Sequence, residues 1–119
     1  MNELENYRDA AITTQNKGRL IVILYEGAIK FVNQAIRDID NKNYEAKGRD
    51  IQKAQDIIME LNTVLDMEAG GEIAQNLRSL YNFMSRHLVQ ANVKSDTQIL
   101  RDVLSILEEL NQGWRAITC

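Results

Sequence analysis

Four stretches of this 119-residue chain repeat apolar residues every three or four positions, and no proline interrupts any of them. That spacing marks one face of an α-helix, where each residue turns by about 100°. Without proline, a helix in this chain stops only where Gly, Asn or Asp stops it. On those signals the first helix covers residues 17–40 and closes on the turn Asn41-Lys42-Asn43. The second covers about residues 44–67, with a seam of Ile51, Ala54, Ile58, Leu61 and Leu65, and ends at Gly70-Gly71. The third, about residues 72–91, has its seam at Ile73, Leu77, Leu80, Tyr81, Met84, Leu88 and Ala91. The fourth starts at Ser95 or Asp96, either of which makes a good N-cap, and runs to about residue 117. Its seam is Leu100, Val103, Leu107, Leu110, Trp114 and Ile117. Short connections favour antiparallel neighbours. The pattern therefore predicts an all-α, antiparallel up-down four-helix bundle over residues 17–119, within a single domain of residues 1–119.

The first helix has more apolar surface than joining a bundle requires. Leu20, Ile21, Leu24, Ala28, Phe31, Ala35 and Ile39 form one stripe. Val22, Tyr25, Ile29, Val32 and Ile36 form a second stripe beside it, and Ile23 falls outside both. Together the stripes span roughly 200° of arc, against the ~100° of a helix packed on one core. Such a helix must be covered twice, once by its own bundle and once by something else. The expectation is that Val22, Tyr25, Ile29, Val32 and Ile36 bind a partner.

Composition narrows the function classes. Apolar content of 45% and charged content of 26% are those of a globular protein, and 119 residues suffice for a real core. The net charge is −3 with no basic run, which argues against a nucleic-acid surface. The single cysteine, Cys119, has no partner in the chain, so no internal disulfide forms and a reducing compartment is expected. The N-terminus lacks a charged-then-apolar signal pattern, and the longest apolar run, Leu20 to Tyr25, is too short for a membrane span. A cytoplasmic protein with no membrane contact is expected.

Chemistry finds little support. A di-iron bundle site needs Glu-x-x-His on two helices, but the single histidine, His87, has Met84 three positions before it. Histidine phosphotransfer domains resemble one another in a His-x-Leu-Lys-Gly stretch, where this chain reads His87-Leu88-Val89-Gln90-Ala91, and a structural or edge histidine is the better reading. Cys119 has no neighbouring histidine or helix N-terminus to activate it. Glu108-Glu109, Asp38 and Asp40 read as solvated charge, and Gly70-Gly71 lacks the surroundings of a phosphate loop. No enzyme, metal or cofactor is expected.

Residues 1–16 form a weak amphipathic segment with Leu4, Tyr7 and Ile12 on its apolar side. A helix that short is marginal alone, and the second stripe offers it a surface. The segment is expected to act as a lid. Trp114 and Tyr81 read as core, whereas Tyr25 and Tyr7 read as partner or lid contacts.

Several stretches together resemble the FliS family of flagellar secretion chaperones. They are Gly18-Arg19-Leu20, the run Leu24-Tyr25-Glu26-Gly27-Ala28-Ile29-Lys30-Phe31, and the turn from Leu65-Asp66-Met67-Glu68-Ala69 through Gly70-Gly71-Glu72-Ile73-Ala74. Leu80-Tyr81, Ala91-Asn92 and Gly113-Trp114 also match. The resemblance covers nearly the whole chain. It implies a cytoplasmic chaperone that holds the disordered C-terminal region of flagellin until export and blocks premature polymerisation. It also brings in the flagellar export apparatus as a partner. The residues themselves keep an alternative open, a self-associating bundle whose second stripe is a homodimer interface.

Overall fold

A computed structural model describes residues 17–118. Leu4, Tyr7 and Ile12, with the rest of the expected lid, and Cys119 lie outside the described residues. The described chain forms α1 (Lys17–Asp40), α2 (Tyr44–Thr63), α3 (Met67–Lys94) and α4 (Thr97–Thr118). Each helix packs on its neighbours around a closed ring, α1 on α2, α2 on α3, α3 on α4, and α4 back on α1.

Cross-helix contacts show that neighbours run antiparallel. Asn62 Nδ2 donates to Asn82 Oδ1 near one end of the α2–α3 pair, and Lys47 Nζ donates to the Asn92 carbonyl near the other. The bundle is therefore up-down, as the short connections predict. Its core is continuous, with Leu24, Phe31, Ile51, Ile58, Met84, Leu88, Leu100 and Leu107 all fully buried.

Polar caps set the starts of α2, α3 and α4. Asn43 Oδ1 accepts from the Ala46 amide at the start of α2, and Asp66 Oδ1 accepts from the Ala69 amide at the start of α3. Of the two N-cap candidates for α4, Asp96 takes the role, accepting from the Gln98 amide at 2.8 Å. Ser95 instead closes α3 in the left-handed conformation, at φ 49°, and its hydroxyl accepts from Lys47 Nζ.

Gly70-Gly71 does not end α2, which stops at Thr63 with Val64 as its C-cap. One helical turn opens α3 before the glycines, and the chain kinks at Gly71, at φ 51° and ψ −126°. Both glycines have a steric reason. Gly71 occupies the left-handed region that L side chains avoid. A Cβ on Gly70 would lie 2.7 Å from the Ala74 Cβ. Beyond the kink the buried row begins at Ala74, and Ile73, placed in the predicted seam, is 72% exposed.

Near the α1–α2 turn, Asp38 faces Asp50. Burial, then the hydrogen bond that protonated Asp50 donates to Asp38 and the charge of Asp38, raise the Asp50 carboxyl from its usual 3.8 to about 6, against the opposing pull of Lys53 and Arg49. Asp38 Oδ2 is buried and has no hydrogen-bond partner among the described residues. Folding thus binds a proton between these two pH values. Stability from this pair is present below about pH 4, declines as pH rises towards 6, and is lost above it. Asp38→Asn removes the like charge and supplies an amide donor to Asp50. The urea midpoint at pH 7 is expected to rise in this variant, and its decline between pH 4 and 6 to flatten. An unchanged pH profile would contradict the pairing.

Candidate functional site

The second stripe of α1 lies inside the bundle. Tyr25 and Val32 are fully buried, and Val22 and Ile36 are 8% and 9% exposed. Among its predicted contact residues, Ile29 alone stays half-buried at the surface. Four of the five stripe residues thus face inward, because α1 has two helical neighbours. Lys53 of α2 sits over the Phe31 ring, so the first stripe faces α2. Arg115 of α4 pairs with Glu26 beside the second stripe. Most of the 200° of apolar arc is buried within the chain.

One apolar-lined opening lies at the end of the bundle where α1 begins, α2 turns into α3, and α4 ends. A groove of about 370 Å³ opens there. Leu65, Ile73, Leu77 and Trp114 form its walls, with Ile21 and Tyr81 deeper in its lining. Lys17, the first described residue, stands at the rim with Asp66. The break between α2 and α3 shapes this groove. Residues on both sides of the kink, Ala69 and Gly70 before it and Ile73, Ala74 and Leu77 after it, line the groove.

A hydrogen-bonded aromatic cluster supports the floor. The Tyr25 and Tyr81 hydroxyls pair across the core, with ring centroids 6.3 Å apart. Trp114 also hydrogen-bonds the Tyr25 hydroxyl, so the tryptophan spans from core to groove wall. Burial pushes both phenols above their ordinary value of 10, Tyr81 the further because it faces Tyr25. Both therefore stay protonated at neutral pH and serve packing and hydrogen bonding. Tyr81 is core, as the seam predicts. Tyr25 is core too, contrary to the partner contact expected of it. Trp114 is only half-buried, and Ile117, also placed in the seam, is 75% exposed. Seam positions at the end of a bundle have no further turn above them to pack on.

The residues weighed for chemistry do not converge. His87 is an edge residue, stacked on Phe83 with centroids 4.0 Å apart and its Nδ1 on the Phe83 carbonyl. Among the described residues no group of three or more His, Cys, Asp or Glu is placed to hold a metal ion. No helix among them is long and apolar enough to cross a membrane. The groove can do one thing well, which is to receive apolar side chains.

Comparison with known proteins identifies the fold's relatives. The family model described as "Flagellar protein FliS" matches residues 1–118. The flagellar secretion chaperone FliS of Bacillus subtilis is 34% identical over 114 residues, covering 96% of this chain and 84% of its own. FliS of Vibrio cholerae is 38% identical over 109 residues, covering 92% of this chain and 80% of its own. FliSB of Pseudomonas aeruginosa is 37% identical over 122 residues, spanning 99% and 97%. All three carry the name of a chaperone, a non-enzymatic role. The match spans the bundle from end to end: the chain belongs to the FliS family of flagellar secretion chaperones.

Proposed function

We propose that this chain binds the disordered C-terminal region of flagellin in the cytoplasm, prevents its premature polymerisation, and delivers it to the flagellar export apparatus. The observation that carries this reading is the groove at the bundle end, where Ile73 is 72% exposed beside half-buried Leu65, Leu77 and Trp114. Contiguous exposed apolar side chains on a soluble domain mark a place where another chain docks. An amphipathic client segment would lay its apolar face there, as in helix-in-groove recognition. Because the client orders on binding, part of the contact energy offsets that ordering.

Residues 1–16 belong to the same proposal as a displaceable lid. They join the bundle at Lys17, on the groove's rim, and their apolar residues Leu4, Tyr7 and Ile12 suit the same surface as the client. Tethered there, the segment competes at high effective concentration. Titrating the full chain with a flagellin C-terminal peptide is expected to give saturable binding. A chain lacking residues 1–16 is expected to bind more tightly or faster and to aggregate more readily when free. Weaker binding after the deletion would make the segment part of the client surface instead. No binding by the full chain would overturn the reading.

A further inference from the structure

A second groove, of about 720 Å³, runs between α1 and α4 on the other side of the last turns of α4. Trp114 faces the first groove, while its neighbours Arg115 and Ala116 line this one. Asn111 lies in its wall, a polar residue only 7% exposed. Its Oδ1 is buried and accepts no hydrogen bond from any described residue. Buried amides are almost always paired, so an orphaned one calls for an explanation.

The position makes the orphan more telling. Asn111 follows Leu107 by four residues, so it extends the buried row of Leu100, Val103 and Leu107 along α4. A leucine there would pack and leave nothing unsatisfied. Packing alone therefore does not explain an amide at this place.

From this orphaned amide in a groove wall we infer that the α1–α4 groove is a subsite that grips the main chain of an extended client segment. A side-chain amide carries a donor and an acceptor, the complement of one peptide unit. Rotation about its soft terminal torsion would present Oδ1 to the groove, where a client N–H can donate to it. Half-buried Ile29 and small Ala116 leave room beside it for one apolar client side chain. The Glu26–Arg115 ion pair stands at the rim, 3.4 Å apart, with both side chains at least half exposed. Such a pair yields readily to an incoming chain.

The occupant must be extended rather than helical, because the N–H groups inside a helix are already used. The subsite thus complements the apolar groove. One reads side chains and the other holds the backbone with little regard to sequence. This inference rests on the proposed function, since it assigns part of the same client's path.

The test uses the full chain and a flagellin C-terminal peptide, with Asn111→Leu and a peptide series in which single backbone amides become esters. Asn111→Leu is expected to melt at the wild-type temperature or above and to bind about tenfold more weakly, the effect of one hydrogen bond to a buried group. One ester position is expected to weaken binding to the wild-type chain about tenfold and to leave binding to Asn111→Leu unchanged. Wild-type affinity in the variant, or the same ester profile for both proteins, would overturn the subsite while leaving the proposed function intact. Loss of cooperative melting in Asn111→Leu would make the amide structural and overturn it as well. A wild-type chain that binds no peptide would bring down the proposed function and this inference together.

Discussion

Tyr25→Asp is expected to abolish cooperative folding. Tyr25 of α1 is fully buried, and its hydroxyl is shared by Tyr81 of α3 and Trp114 of α4. The substitution removes a large aromatic side chain and leaves a cavity, which alone costs about 3–5 kcal/mol. It also strands the two former partners and places a carboxylate where water does not reach, adding several kcal/mol more. A domain of this size has about 5–15 kcal/mol in all. Tyr25→Phe separates the terms, because it keeps the ring and loses only the shared hydroxyl, at about 1–3 kcal/mol. Thermal melts followed by far-UV circular dichroism check both variants. A Tyr25→Asp chain that melts cooperatively near the wild-type temperature would show that the second stripe is surface after all.

Ile73→Asp is expected to do the opposite, leaving the fold and removing the function. The side chain is mostly exposed, so little buried surface is lost. It also sits early in the main run of α3, just after the kink at Gly71, where the helix dipole favours a negative charge. The melting temperature should therefore stay within a degree or two of wild type, in keeping with a change of about 0.5 kcal/mol or less. In the groove, however, the carboxylate would have to be desolvated against apolar client side chains. A central contact of this kind is worth about 2 kcal/mol or more, or roughly thirtyfold in affinity. Isothermal titration with a flagellin C-terminal peptide reads it directly. Wild-type affinity would exclude Ile73 from the client site.

The contrast between Tyr25 and Ile73 shows what periodicity can and cannot carry. Helix positions follow from spacing and caps, so α1, the turn after it and the start of α4 stand where the pattern puts them. Arc width also reads correctly, since α1 is apolar over about half its circumference. What covers that arc is not a property of one helix. It depends on α1 lying between α2 and α4 in a closed ring, which angles along α1 do not encode. The seam pattern likewise treats Ile73, Trp114 and Ile117 as equal to Leu88 and Leu107. Exposure separates them only because the first three lie at the open end of the bundle and beside a kink. Gly70-Gly71 announces a break, yet either ending a helix or kinking one uses the same residues. Asn111 did leave a signal, an amide four residues after Leu107 in an otherwise apolar row, which a search for exposed apolar stripes passes over.

The claim that most needs testing is that the client sits at the end of the bundle and not along the side of α1. Methyl-resolved NMR of the full chain, titrated with a flagellin C-terminal peptide, places it without any substitution. Leu65, Ile73 and Leu77 are expected to shift most and to show direct contacts to the peptide, while Val22, Val32 and Ile36 stay near their free positions. Contacts from the peptide to Val22, Val32 and Ile36, with Ile73 undisturbed, would mean that the bundle opens along α1 to admit its client, and would contradict the groove as the binding site.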